Sequence, residues 1–190
     1  MKEVEILVKV LDDNIDNLMD VLKKNSNFIK KSQVMDIYYY DENRIELKPD
    51  SNFRITKCFR VRKKDDKSYI TYKDDVFDTN GIWLYSNEEE TEIIDYNVIR
   101  NIIKKLGFKK LVTVDMVKYF FETSDYNIAI EDVKKLGYFL EVESKNRSCS
   151  DVISEKKKIQ SFLNSLNIKL SDEVNSGKPE LLLKKLGIEE

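Results

Sequence analysis

The stretch Met1-Lys2-Glu3-Val4-Glu5-Ile6-Leu7-Val8-Lys9-Val10 alternates in side-chain character from one residue to the next. Because successive side chains of a β-strand point to opposite faces, this period of two predicts a strand. One face of that strand carries Val4, Ile6, Val8 and Val10. The opposite face carries Glu3, Glu5, Leu7 and Lys9. The predicted strand is therefore apolar on one side and mostly charged on the other.

Three later stretches also place a charge on every second residue. They carry Arg60 and Arg62, then Glu88, Glu90 and Glu92, and then Glu141 and Glu143. Several strands of this kind can close into a barrel whose apolar face turns outward beneath helices and whose charges line the bore. Such a bore would suit a polyanion bound together with a metal ion. A highly charged, solvated surface is the simpler alternative, since charged residues usually lie in water.

The length and composition of the chain predict a single domain over residues 1–190, since domains usually span roughly 100–200 residues. Apolar residues make up 41% of the chain, which is enough for a core. Charged residues make up 36%, yet the formal net charge is only −2. Proteins that bind nucleic acid usually carry a basic surplus, so a nucleic-acid partner is not expected.

The residue types present restrict the chemistry. The chain has no histidine, which excludes the Ser-His-Asp triad and histidine-ligated metals. Its two cysteines, Cys58 and Cys149, lie too far apart in sequence to suggest a zinc site or a disulfide framework. Any metal would need oxygen ligands, which points to Mg²⁺ or Mn²⁺. No apolar run approaches the ~18 residues of a membrane span, so we expect no membrane partner and a cytoplasmic location.

The rest of the chain predicts hairpins separated by helices. Helices are predicted from Asp12 or Asp13 to residue 25, at 95–106 with Asp95 as its cap, at 151–166 and at 179–186. Strands are predicted at 33–40, 53–62, 67–73, 82–93, 111–121, 126–131 and 138–144, with a mobile loop at 41–52. This order favours an antiparallel α+β fold, and about eight strands are enough for a small closed barrel.

Several motifs then occur in a recognisable order. They are Glu3-Val4-Glu5, Asp36-Ile37-Tyr38-Tyr39, Phe59-Arg60-Val61-Arg62, Thr71-Tyr72-Lys73, Leu136-Gly137-Tyr138-Phe139-Leu140-Glu141-Val142-Glu143 and Pro179-Glu180-Leu181-Leu182. Together they resemble the CYTH superfamily, also called the triphosphate tunnel metalloenzymes, and its class IV adenylyl cyclase-like branch in particular. The resemblance implies an eight-stranded antiparallel closed β-barrel, the triphosphate tunnel, with helices packed outside.

The resemblance assigns a metal site to the acidic residues. Glu3 and Glu5 match the paired N-terminal glutamates of the family, and Glu141 and Glu143 match its distal acidic pair. Carboxylates two residues apart on a strand share a face and can hold a hard cation that keeps its waters. The implied cofactor is Mg²⁺ or Mn²⁺, and the implied catalytic residues are Glu3, Glu5, Lys73 and Glu141.

The resemblance also assigns a triphosphate clamp. Arg60, Arg62 and Lys73 match the family's phosphate-binding cations, and Lys118 falls where the family carries arginine. Arginine offers phosphate a bidentate fork and lysine a point charge. The other substrate-binding residues implied are Lys9, Glu88, Glu90 and Glu131. A one-residue shift in the register of the strand at 82–93 would reverse the direction in which Glu88 and Glu90 face.

Two positions depart from the family pattern. Leu7 and Met116 stand where the family carries lysine, which removes two cations from the expected bore. Each lost contact to developing phosphate charge would cost about 2–4 kcal/mol of transition-state stabilisation. These two departures favour a binding protein that has lost catalytic cations, whereas the remaining cations favour an enzyme.

The sequence leaves three functions open. The first is metal-dependent processing of a bound triphosphate, as in conversion of ATP to cyclic AMP and pyrophosphate, or hydrolysis of inorganic or thiamine triphosphate. The second is a non-catalytic binder of triphosphate or polyphosphate. The third is a charged interaction domain without a polyanion site. The expected partners are small triphosphates such as ATP, thiamine triphosphate and tripolyphosphate, and the resemblance also allows a homodimer.

Overall fold

A computed structural model of the protein describes residues 2–12 and 15–187. The described residues form ten strands, four α-helices and a short 3₁₀-helix at Ile45–Leu47. The strands are β1 (Lys2–Glu3), β2 (Glu5–Val10), β3 (Asn27–Tyr40), β4 (Lys57–Lys64), β5 (Lys67–Phe77), β6 (Trp83–Ile93), β7 (Lys109–Glu122), β8 (Tyr126–Val133), β9 (Gly137–Ser144) and β10 (Leu170–Glu173). The helices are α1 (Asp16–Asn25), α2 (Tyr96–Lys105), α3 (Val152–Ser165) and α4 (Lys178–Gly187).

The strands form one antiparallel sheet in the order β1-β6-β5-β4-β3-β7-β8-β9-β2-β10. β1 lies at one end of this order and β2 is next to the other end, and only Val4 separates these two strands in the chain. In β1, Glu3 lies opposite Ser86 of β6, whereas in β2, Glu5 lies opposite Glu143 of β9. The N-terminal stretch therefore pairs with both sides of the curled sheet.

The predicted antiparallel α+β fold is confirmed, but the strands differ from the prediction in number and length. The N-terminal strand is divided into β1 and β2, and the sequence did not predict β10, which pairs with β2. Most predicted strands are longer in the structure; β3, for example, begins at Asn27 instead of residue 33. The chain was expected to be mobile at 41–52, and this stays a prediction; Leu47 in that segment is buried.

Three helices cover the apolar outer face of the sheet, as predicted. The core beneath α1 and α3 joins Val4, Ile6, Val8 and Val10 to Leu18, Leu22, Ile159 and Leu163. A second outer cluster packs Ile37, Tyr39 and Val61 against Ile103 of α2. The period of two in the strands thus buries one face by packing it against helices, which is the main stabilising contribution available to the sheet.

The fourth helix corrects the prediction that all helices pack outside. Leu182 of α4 is buried in a cluster with Leu7, Tyr38, Met116 and Phe139. These strand residues share the inner face, because Leu7 follows Glu5 by two positions, Met116 precedes Lys118 and Phe139 precedes Glu141. One end of the inner face is therefore apolar and covered by α4, and the charges occupy the remainder.

Helix ends show where local sequence signals succeed and fail. The Asp95 side chain accepts hydrogen bonds from the backbone N–H groups of Asn97 and Val98, so the predicted cap of α2 is confirmed. The predicted cap of α1 by Asp12 is wrong, because α1 begins at Asp16 after Ile15 and has no side-chain cap. The alternative cap, Asp13, lies outside the described residues. None of the described helices is long and apolar enough to cross a membrane.

We expect α4 to contribute to stability through Leu182. Leu182→Ala should lower the free energy of unfolding by about 2–4 kcal/mol, because it leaves a cavity in the buried inner cluster. Leu106, which is 68% exposed, provides a matched control, and Leu106→Ala should have little effect. Urea denaturation followed by circular dichroism measures both changes. Equal effects of the two substitutions would show that α4 is not packed on the inner face.

Candidate functional site

The charged part of the inner face surrounds a cavity of about 260 Å³. Its lining combines carboxylates with lysine and arginine side chains from most strands of the sheet and from the start of α4. The lining carboxylates are Glu3, Glu5, Asp75, Glu88, Glu90, Glu141, Glu143 and Glu180. The lining cations are Arg60, Arg62, Lys64, Lys73, Lys118 and Lys178. Alternation along each strand brings these residues together, because every second residue points to the same face.

Glu3 and Glu5 share a single ammonium group. The Nζ atom of Lys73 lies 3.3 Å from a carboxylate oxygen of each of them, and 3.7 Å from Glu88. Burial raises the pKa of Glu3 to about 8, with repulsion from Glu88, Glu5 and Glu143 adding to the rise and Lys73 opposing it. Burial likewise raises the pKa of Glu5. This corner of the cavity thus holds more carboxyl groups than its cations, Lys73 and Arg147, can pair with.

The two arginines of β4 meet a buried carboxylate, Asp36 of β3. The Nε and Nη2 atoms of Arg62 donate to the two carboxylate oxygens of Asp36, each at 2.7 Å. Arg60 Nη1 lies 3.6 Å from the same group, and Arg60 Nη2 lies 3.5 Å from Glu88. Burial alone would raise the pKa of Asp36, but Arg62 and Arg60 outweigh it and lower that pKa far below its usual range. Asp36 therefore fixes the two guanidinium groups at the wall of the cavity.

A second buried carboxylate, Glu131, anchors two lysines. Its side chain is fully buried, forms an ion pair with Lys118 and lies 2.7 Å from the Nζ atom of Lys178. The same Lys178 ammonium lies 2.6 Å from Glu141, and Lys118 lies 3.4 Å from Glu141. The two lysines outweigh the effect of burial and lower the pKa of Glu141. Residues of α4, β7, β8 and β9 thus form one connected ion-pair network.

The carboxylates that line the cavity are suitable ligands for a hard divalent cation. Glu3, Glu5, Glu141 and Glu143 offer carboxylate oxygens, which are the ligands Mg²⁺ and Mn²⁺ prefer. Over residues 2–12 and 15–187, however, no group of three or more acidic or cysteine side chains is already arranged as a metal site. The carboxylates are instead paired with cations, since Lys73 contacts both Glu3 and Glu5 and Arg147 is paired with Glu143. An ion bound here would have to take over these carboxylates from the cations.

The CYTH domain family matches residues 1–176 of this chain. The chain belongs to the CYTH family. A Methanocaldococcus jannaschii protein named "Putative adenylate cyclase MJ0240" is 38% identical over 174 residues, covering 88% of this chain and 91% of that protein. The predicted membership of the CYTH superfamily and its adenylyl cyclase-like branch is thereby confirmed.

Solved structures agree with the CYTH fold over almost the whole chain. The PH1012 protein from Pyrococcus horikoshii OT3 has a TM-score of 0.76 at 25% identity, covering 94% of this chain and 98% of that one. A Vibrio parahaemolyticus structure described as a "putative adenylate cyclase" has a TM-score of 0.73 at 15% identity, covering 95% of this chain and 97% of that one. At this low identity, the second likeness shows the fold alone.

Most of the predicted site residues of this CYTH protein lie together in the cavity. Glu88 and Glu90 both line it, which resolves their facing, whereas Glu92 is about half exposed and pairs with Lys67. Two predicted substrate-binding residues lie elsewhere. Lys9 is exposed beyond the apolar end of the inner face and is not part of the lining. Glu131 is fully buried, pairs with Lys118 and Lys178, and is not part of the lining.

Sequence reasoning missed two residues that organise the site. Asp36 belongs to one of the motifs that carry the family resemblance, and it lies two positions before Tyr38 on the same face of β3. Its spacing from Tyr38 could therefore have placed Asp36 on the inner face. Nothing in the local sequence, however, indicates that its carboxylate is buried. Lys178 directly precedes Pro179, another motif residue, and its role depends on α4 entering the inner face.

Loss of the Asp36 carboxylate should destabilise the fold strongly at neutral pH. Asp36→Asn leaves Arg60 and Arg62 without their buried counter-charge, and we expect a loss of about 3–5 kcal/mol in the free energy of unfolding. Because the folded protein lowers the pKa of Asp36, its contribution is present above the ordinary carboxyl range and is lost as the pH falls. Urea denaturation should therefore show a larger difference from wild type at pH 6 than at pH 3.

The exposed ion pair of Glu42 and Lys109 provides the control for this experiment. Glu42→Gln should leave the unfolding curve unchanged within error, since exposed pairs contribute little. A difference between Asp36→Asn and wild type that does not shrink as the pH falls would contradict the assignment of a paired, ionised Asp36.

Proposed function

We propose that this CYTH protein binds an organic triphosphate together with Mg²⁺ or Mn²⁺ in its cavity and catalyses a reaction at phosphorus. The first candidate reaction is the conversion of ATP to cyclic AMP and pyrophosphate. The observation that carries the proposal is the convergence of cations and carboxylates from separate strands in one cavity. A charged surface domain would not concentrate them there. The name of the Methanocaldococcus jannaschii relative supports the choice of the cyclase reaction.

The cations of this proposal divide the work of holding the phosphates. Arg60 and Arg62 present guanidinium groups whose orientation Asp36 fixes, which suits them to phosphate oxygens. Lys73 and Lys118 add point charges from β5 and β7, and Lys178 adds one from α4. Holding the chain of phosphates in one orientation lowers the entropic cost of reaching the transition state. Charge that develops on the departing phosphate oxygens would be stabilised by the same groups.

The carboxylates of the cavity would bind the divalent cation, whereas the lysines and arginines would bind the phosphates. Glu3, Glu5, Glu141 and Glu143 would hold the divalent cation, whose charge supports phosphoryl chemistry by stabilising phosphate oxygens and favouring deprotonation of the attacking hydroxyl or water. Once Lys73 no longer pairs with Glu3 and Glu5, its ammonium group is available to a phosphate. Binding of cation and polyanion together therefore leaves each charge with a partner.

The cyclase and hydrolase reactions differ in the phosphorus that is attacked. In the cyclase reaction, the ribose 3′-hydroxyl loses its proton and attacks the α-phosphorus, and pyrophosphate leaves. In triphosphate hydrolysis, water attacks the terminal phosphorus and orthophosphate is released. Inorganic or thiamine triphosphatase activity is accordingly the second catalytic candidate.

A non-catalytic binder of triphosphate or polyphosphate is the candidate from another class. Leu7 and Met116 support it, because both lie in the apolar cluster under α4 and supply no charge to the cavity. The predicted cytoplasmic location and homodimer stay predictions.

A product assay distinguishes these functions. Purified protein is incubated with ATP, thiamine triphosphate or tripolyphosphate, with Mg²⁺ or Mn²⁺ and with a chelator as the control. We expect cyclic AMP and pyrophosphate in equal amounts from ATP, detected by chromatography, and no product with the chelator. Orthophosphate without cyclic AMP would identify a triphosphatase, and saturable binding without product would identify a binder. Absence of both binding and product would refute all three.

Replacement of Glu5 tests the role of the acidic pair. Glu5→Gln keeps the shape of the side chain but removes a carboxylate that lies beside Glu3, so metal-dependent turnover should fall by about 100-fold or more. Circular dichroism should show an unchanged fold. Glu92→Gln is the control, because Glu92 lies on β6 outside the cavity. This variant should have the same turnover rate as the wild-type protein. Unchanged turnover of Glu5→Gln would reject the metal assignment.

A further inference from the structure

One cation in the cavity lining differs from the others in its surroundings. Lys64 is the last residue of β4 and follows Arg60 and Arg62 at two-residue spacing, so all three point to the same face. It is half-buried, and its ammonium group lies 4.2 Å from the centre of the Phe120 ring. Lys64 and Phe120 thus mark the end of the cavity that lies away from α4.

The other cations of the lining each have a carboxylate partner. Arg62 is held by Asp36, Lys73 by Glu3 and Glu5, and Lys118 and Lys178 by Glu131. Lys64 has no such partner among residues 2–12 and 15–187, and its contact there is the face of an aromatic ring. A half-buried ammonium group that lacks a counter-charge is costly for the free protein.

The charges around Lys64 are mostly positive. Lys30 of β3, Arg62 of β4 and Lys118 of β7 repel its charge, whereas Glu90 of β6 and the adjacent Asp65, which pairs with Lys30, attract it. Glu90 is already engaged, since its carboxylate accepts a hydrogen bond from Thr71 at 2.8 Å and lies 3.6 Å from Arg60. The end of the cavity at Lys64 therefore has an excess of cations, whereas the corner at Glu3 and Glu5 has an excess of carboxyl groups.

We propose that Lys64 binds the outermost phosphate of a three-phosphate chain, and that it thereby gives the site a preference for triphosphates over diphosphates. This inference rests on the proposed function. Each two-residue step along a strand covers about 6.6 Å, so Lys64 extends the row of cations on β4 one step beyond Arg62. If Arg60 and Arg62, whose guanidinium groups converge on Asp36, hold the first two phosphates, the third phosphate is the one that lies against Lys64.

The protonation of Lys64 gives the proposal a characteristic pH dependence. Burial, together with the repulsion of Lys30, Arg62 and Lys118 and despite Glu90, lowers the pKa of Lys64 to about 8. The ammonium form is present below that pH and is lost above it in the free protein. Affinity for a triphosphate should therefore fall as the pH rises from 7 to 9, by up to about 10-fold from this residue.

Isothermal titration calorimetry with inorganic tripolyphosphate and pyrophosphate, in the presence of Mg²⁺, tests the assignment. Tripolyphosphate is the chosen probe because its two ends are equivalent. Lys64→Ala should weaken tripolyphosphate binding by about 10-fold or more and leave pyrophosphate binding within about twofold. Lys63→Ala is the matched control, since Lys63 is the neighbouring lysine, is exposed on the opposite face and lies near Tyr96. It should bind both ligands like wild type.

Lys64→Arg provides the second readout. Arginine stays charged at pH 9, so this variant should bind tripolyphosphate like wild type at pH 7 and up to about 10-fold more tightly than wild type at pH 9. Equal weakening of both ligands by Lys64→Ala, or unchanged binding, would overturn the role of Lys64 and leave the proposed function standing. Failure of the wild-type protein to bind tripolyphosphate would instead overturn the proposed function and this inference with it.

Discussion

The pairing of the first strand with both sides of the sheet is the constraint on which the rest of the structure depends. β1 is hydrogen-bonded to β6 and β2 to β9, with Val4 between them. This arrangement brings Glu3 and Glu5 opposite Lys73 of β5 and beside Glu141 and Glu143 of β9. Without it, the cations of β4 and β5 and the carboxylates of β9 would lie on separate halves of an open sheet.

Burying the charged side chains of the cavity is unfavourable because they lose hydration, and ion pairs within the protein offset this desolvation. Removing carboxylates and ammonium groups from water is unfavourable by several kcal/mol per ion, so each buried charge requires a partner of opposite sign. Asp36 and Glu131 meet this requirement from behind the lining, and they also restrict the positions of the arginines and lysines in front of them. The remaining imbalance, acidic at Glu3 and basic at Lys64, is what a cation and a polyanion could neutralise.

Much of the site could be predicted from the sequence because alternation along a strand is a local property. It placed Glu3, Glu5, Arg60, Arg62 and Glu141 on charged faces, the family resemblance added Lys73, and all of them line the cavity. Lys9 has the same alternation, yet it is exposed, because the apolar cluster around Leu7 and Leu182 ends the cavity before it. The facing of Glu88 depended on a register with β5 that one strand alone cannot specify.

The sequence by itself determined which side chains share a face, where Asp95 begins α2 and that a core of alternating apolar residues would form. The tertiary structure decided that α4 covers the inner face, that Lys178 joins Glu131 and Glu141, and that Asp36 is buried between two arginines. The physical reason is the range of the interactions. Alternation and capping depend on neighbours a few residues away, whereas burial and ion pairing join residues that only the curled sheet brings into contact.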